Sequence, residues 1–76
     1  SQRQAILRLA EKLPGAYYLE FYLGRNLAEN GEPGEAITHL DRALELSPDP
    51  EDVPYILSYK GMCLKDMERY DEAVAV

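Results

Sequence analysis

An all-α chain of antiparallel helix–turn–helix units, stacked in series as an α-solenoid, is predicted by three observations. Gly24, Leu27, Glu35 and Ala36 recur 37 residues later as Gly61, Leu64, Glu72 and Ala73, in the same order. Pro14 lies 34 residues before Pro48. Apolar residues fall at helical spacing along the chain, and no alternating strand pattern interrupts them. A fixed period carrying the same small and apolar residues is what stacked repeats require, because each unit buries its face against the next.

The elements follow in order. Ile6, Leu9, Ala10 and Leu13 obey the i, i+3, i+4, i+7 rule, and Pro14-Gly15 stops that helix. A second helix is expected from about Ala16 to Asn30, with Leu19, Leu23 and Leu27 at four-residue steps. Asn30-Gly31 then reads as a helix C-terminus with Gly31 left-handed, and Pro33 falls in the first turn of the next helix. That third helix carries Ala36, Ile37, Leu40, Ala43 and Leu44, ending near Leu46. Residues 47–54 hold three prolines and three acids and form a loop, with Asp52 the best N-cap for a fourth helix. The fourth helix takes Ile56, Leu57, Leu64 and Met67, and a fifth is expected to begin near Tyr70.

Composition bounds the function. Seventy-six residues make at most one domain, and 46% hydrophobic with 29% charged is globular. Residues 1–76 are therefore read as a single fragment of stacked repeats. Within it, residues 1–14 are the second helix of a preceding unit, 16–48 a complete repeat, and 52–76 a partial repeat cut within its second helix. A net charge of −6 without a Lys/Arg stripe argues against nucleic acid. No run of about 18 apolar residues is present, so no membrane span is expected. Cys63 is the sole cysteine, which excludes an internal disulfide and leans weakly toward a reducing, cytoplasmic setting.

At the residue level the chain resembles the tetratricopeptide repeat family, a 34-residue helix–turn–helix unit. Glu20, Leu23-Gly24, Leu27, Ala36, Leu40, Ala43 and Pro48 stand where that family places an aromatic, Leu-Gly, aromatic, Ala, aromatic, Ala and Pro. Leu57, Gly61, Leu64 and Ala73 repeat the first half. The resemblance implies a right-handed α-solenoid whose inner face binds protein partners. Small residues belong where paired helices cross, so Gly24 is expected against Ala36, and Gly61 against Ala73. Three departures stand out: Glu20 at an aromatic position, Lys60 at a leucine position, and three extra residues in the 47–54 loop. Glu20 is expected to pair with Arg8, Lys12 or Arg42, or to be exposed.

The candidate site is the face of each leading helix turned away from Leu23/Leu27 and Leu57/Leu64. At about 100° per residue, Tyr18, Phe21, Tyr22 and Arg25 cluster there on one helix, and Tyr55, Tyr59 and Met62 on the next. Tyr18 maps onto Tyr55 and Tyr22 onto Tyr59 at the same 37-residue shift. Rigid aromatic area carrying hydroxyls suits a peptide or an amphipathic helix, and Arg25 suits a partner carboxylate. The competing reading packs these tyrosines between adjacent hairpins. A clamp of Lys, Asn and Arg for a chaperone tail, used by some members, is not supported, because the corresponding places hold Phe21, Arg25, Tyr55 and Tyr59.

No catalytic residue, cofactor or metal site is expected. His39 is the sole histidine, read as solvated on the outer face. Cys63 is read as a buried, inert thiol, and Asp49, Glu51 and Asp52 lack the spacing and glycine of a calcium loop. The chain is therefore expected to be a protein–protein interaction module holding a peptide or helix of its partner. Two alternatives remain, a scaffold that self-associates through its exposed ends and a targeting arm on a larger enzyme.

Overall fold

The computed structural model of this protein describes residues 2–5, 15–46 and 48–75, with side chains as far as residue 71. Three helices carry the fold: α1 (Tyr17–Glu29), α2 (Pro33–Glu45) and α3 (Val53–Ala75). Residues 2–5 are also helical, while the rest of the expected leading helix, Ile6 to Pro14, lies outside the described residues. Strands are absent among the described residues.

Local chemistry sets the turn between α1 and α2. Gly31 has φ of 78°, a left-handed backbone that glycine adopts without a Cβ penalty. The Gly31 N–H donates to the Ala28 carbonyl at 3.4 Å and the Glu32 N–H to the Leu27 carbonyl at 2.9 Å. This pair of bonds is the Schellman arrangement, and it satisfies two carbonyls the helix end would otherwise leave open. Pro33 then opens α2, where its missing N–H costs nothing. Both features agree with the sequence expectation, and the bounds of α1 and α2 agree to within one residue at each end.

Close packing of α1 on α2 follows from Gly24. A Cβ built there would sit 2.8 Å from Leu40 Cγ and Cδ2 and 3.2 Å from the Ala36 carbonyl oxygen, inside contact distance. Ala36, Leu40 and Ala43 are fully buried. The expected Gly24–Ala36 crossing is therefore present. Helix α2 packs against both α1 and α3, and Ile56 and Cys63 of α3 complete a core that includes Tyr17, Phe21 and Ala28 of α1. Burial of side chains such as Leu40 and Ile56 contributes about 1.5–3 kcal/mol each.

Three expectations are corrected. Helix α3 runs unbroken from Val53 to Ala75, so no separate helix begins at Tyr70. The reason lies in the turn chemistry: Met67, Glu68 and Arg69 replace Asn30, Gly31 and Glu32, and Tyr70 replaces Pro33. Without a glycine to turn left-handed or a proline to start afresh, good helix formers continue the helix. Consequently Gly61 and Ala73 sit twelve residues apart on one helix, about 18 Å along its axis. Gly61 is exposed, and a Cβ there would meet nothing within 4 Å.

The third correction concerns the leucines. Tyr17, Phe21, Gly24 and Ala28 form the buried face of α1, whereas Leu19 and Leu23 are exposed. The crossing at Gly24 sets the phase, and positions three and seven before it and four after it share its side of the helix. Leu57 and Leu64 on α3 are likewise about half exposed, at 50% and 48%.

Candidate aromatic interaction face

Five of the seven anticipated residues are exposed or partly exposed, Tyr18, Tyr22 and Arg25 on α1 and Tyr55 and Met62 on α3. Tyr18 is 59% exposed, Tyr55 63%, and Tyr22 and Met62 are also open to solvent. Arg25 lies with its guanidinium 5.6 Å from the Tyr22 ring centroid, a cation–π distance. This contact holds the two long side chains together on the surface of α1.

The other two residues play a different part. Phe21 is a correction, because it is buried in the core rather than presented to a partner. Tyr59 is half-buried and packs against that core. Their rings meet edge-on with centroids 6.0 Å apart. Tyr18 stacks edge-on against Phe21 at 6.4 Å, and Tyr17 against Tyr18 at 6.0 Å. An unbroken aromatic series thus runs from α1 to α3, with the buried Phe21 and the half-buried Tyr59 as its inner rungs. Edge-to-face pairs of this kind add about 0.5–1.5 kcal/mol beyond their area. The packing reading holds for Phe21 and Tyr59, which meet between α1 and α3, whereas Tyr18, Tyr22 and Tyr55 are exposed to solvent. Beside Tyr59 a shallow hollow of about 210 Å³ is lined by Ser58, Tyr59 and Met62.

Polar contacts fix the frame of this face. The Tyr17 hydroxyl donates to Asp52 Oδ2 at 2.6 Å, with Asp49 Oδ2 at 3.2 Å. The hydrogen bond to Asp52 leads in raising the Tyr17 pKa to about 12, helped by burial and by the charge of Asp49, because each disfavours a phenolate. Asp52 directly precedes α3, as expected of a cap, but its side chain is engaged with Tyr17. The acidic loop thereby ties the start of α1 to the start of α3. Lys60 of α3 pairs with Asp41 of α2 at 2.6 Å, which accounts for a lysine at a leucine position.

Glu20 shows how a carboxylate replaces an aromatic ring between paired helices. Its side chain is only 13% exposed, with Oε2 2.7 Å from His39 Nδ1 and Oε1 3.5 Å from Arg42 Nε. Arg42 was one of three expected partners. His39 was missed: it is half-buried against α1 rather than free on the outer face. Cys63 is fully buried, and burial, followed by the nearby Asp66 charge, pushes its pKa up, which makes it a poor nucleophile.

Paired antiparallel helices wedged at a glycine, with a third helix stacked on the pair, define a helical-repeat protein. Residues 17–50 match the family model described as tetratricopeptide repeat, and they constitute a repeat of that family. The match covers α1, α2 and the start of the following loop, while α3 lies beyond it. Repeats of this family are generally protein–protein interaction modules and typically non-catalytic. No curated protein and no solved structure matches the chain.

Proposed function

We propose that the chain holds a peptide or a short helix of a partner protein along the face made by Tyr18, Tyr22, Arg25, Tyr55 and Met62. Phe21 and Tyr59 serve as the packed floor beneath it. The observation that carries this reading is large aromatic area left open to solvent at Tyr18, Tyr22 and Tyr55, with the Tyr18 ring set edge-on against the buried Phe21. Tyr18 and Tyr55 are the most exposed large hydrophobic side chains among the described residues. Rings fixed in this way bury area on binding at little entropic cost, and tyrosine is enriched where a few residues dominate affinity. The net charge of −6 favours a basic or neutral segment over an acidic one. The hollow at Ser58, Tyr59 and Met62 suits one apolar side chain of that segment.

Selection from a displayed random-peptide library tests the reading. Peptides retained by the wild type should bind the Tyr18→Ser/Tyr22→Ser/Tyr55→Ser variant at least about tenfold more weakly, roughly 1.4 kcal/mol, with unchanged far-UV circular dichroism. Undiminished binding by the triple variant would defeat the proposal.

A further inference from the structure

The turn between α1 and α2 holds the chain's single Asn-Gly pair, Asn30-Gly31, and both residues are exposed. An asparagine followed by glycine carries its own reactive partners: a side-chain amide carbon and a following backbone nitrogen that no Cβ shields. Hydrogen bonds and backbone geometry hold them apart here. The Asn30 Nδ2–H donates to the Asn26 carbonyl at 2.8 Å, the same oxygen that accepts the Asn30 backbone N–H at 3.0 Å. The Gly31 N–H donates to the Ala28 carbonyl at 3.4 Å. Asn30 has ψ of 12°, which turns the Gly31 nitrogen away from the Asn30 Cβ, so a ring through Cγ does not close in this backbone. Asn26, the other asparagine, is followed by Leu27 and lies within α1.

We propose that Asn30 is a deamidation site gated by opening of this turn, and that its products cannot rebuild the turn. Once the backbone rotates, the deprotonated Gly31 nitrogen attacks Asn30 Cγ. A C–N bond forms, and the side-chain nitrogen takes up a proton and leaves as ammonia. Water then opens the imide by breaking one of the two bonds between its nitrogen and a carbonyl carbon. Cleavage at the former side-chain carbon gives aspartate; cleavage at the former main-chain carbonyl gives isoaspartate, whose backbone runs through Cβ and Cγ. Water is the only co-reactant. Either product exchanges an amide donor for a carboxylate, which cannot donate to the Asn26 carbonyl. It also adds negative charge at the C-terminal end of α1, where no basic residue of the last turn offsets it. Isoaspartate further lengthens the backbone by one atom, which displaces the Gly31 and Glu32 N–H groups from the Ala28 and Leu27 carbonyls. The bonds that slow the reaction are thus the ones its products lose, and the damage falls where α2 is set against α1.

Peptide mapping by mass spectrometry of the chain aged in mildly alkaline buffer tests this, with a free peptide spanning Leu27 to Ile37 as the ungated reference. The peptide should convert at least about tenfold faster than the native chain, because the turn is open only a small fraction of the time. Urea below the unfolding transition should raise the native rate. The mass gain should fall on Asn30, with aspartate and isoaspartate both present, and leave Asn26 unchanged. Asn30→Gln should abolish the gain at that position, since its longer side chain closes a less favourable ring. Asn30→Asp, which supplies one product in pure form, should raise the equilibrium constant for unfolding about fivefold. The isoaspartate form, separated by ion exchange, should unfold more readily still. Equal rates in the peptide and the native chain would overturn the gating, and conversion of Asn26 as fast as Asn30 would overturn the site. No conversion in sub-denaturing urea while the peptide converts fully, or products as stable as the parent, would also overturn the proposal.

Discussion

Adding one methyl group at Gly24 or at Gly61 should change stability in opposite directions, although the two glycines are repeat equivalents. At Gly24 the new Cβ would lie 2.8 Å from both Cγ and Cδ2 of Leu40. Because Cγ is involved as well as the side-chain tip, a rotamer change alone does not relieve the clash. Leu40 is fully buried, and the Ala36 carbonyl oxygen closes the other side at 3.2 Å. Overpacking of this kind costs about 1–3 kcal/mol, against a gain of about 1 kcal/mol from replacing a helical glycine. Gly24→Ala should therefore destabilise by roughly 1 kcal/mol, within a range of about 0–2. At Gly61 no atom lies within 4 Å of the new methyl, so only the gain remains, about 1 kcal/mol. Urea denaturation followed at 222 nm reads both. Equal stabilisation by the two substitutions would refute the argument that Gly24 is small because a helix crosses there.

Other expected outcomes follow from the same contacts. Gly31→Ala should cost about 1–2 kcal/mol in the same urea assay, because φ of 78° strains any residue with a Cβ. Tyr17 has its folded pKa raised to about 12, so its bond to Asp52 stabilises fully below the unfolded tyrosine value of about 10. That contribution disappears as pH climbs from about 10 to 12. Urea midpoints of the wild type should thus exceed those of Tyr17→Phe by a constant amount below pH ~9.5 and converge toward pH 12; a gap unchanged across that range would contradict the bond. Cys63 should resist a thiol reagent in the folded protein and react only as the helices part, with a rate that rises with urea; fast reaction without denaturant would contradict its burial.

How much was legible in the sequence depended on how local the chemistry was. Asn30-Gly31 and Pro33 announce a left-handed helix end and a new helix start, and the structure turns there. Gly24 and Ala36 announce a close crossing because a helical glycine needs a reason. At Gly61 the same inference failed for an equally local cause: Met67-Glu68-Arg69 carries no turn chemistry, so similarity at Gly61 and Ala73 did not bend the helix. The leucine stripe misled because Leu19, Leu23 and Leu27 suggest a core face by themselves. Only the position of Gly24 relative to Phe21 and Ala28 fixes which side turns inward. The bond from Glu20 to His39 spans nineteen residues across two helices, and its register emerges only after the turn is built. Among the aromatic residues, spacing set Tyr18, Phe21 and Tyr22 together on α1, but only depth separates Phe21 and Tyr59 from the exposed rings.

Nuclear magnetic resonance mapping of a selected peptide onto the folded chain tests the interaction reading most directly. Shift changes gathered on Tyr18, Tyr22, Arg25, Tyr55 and Met62 are the predicted result. Changes gathered on Leu57, Gly61 and Leu64, with the tyrosines unmoved, would contradict it.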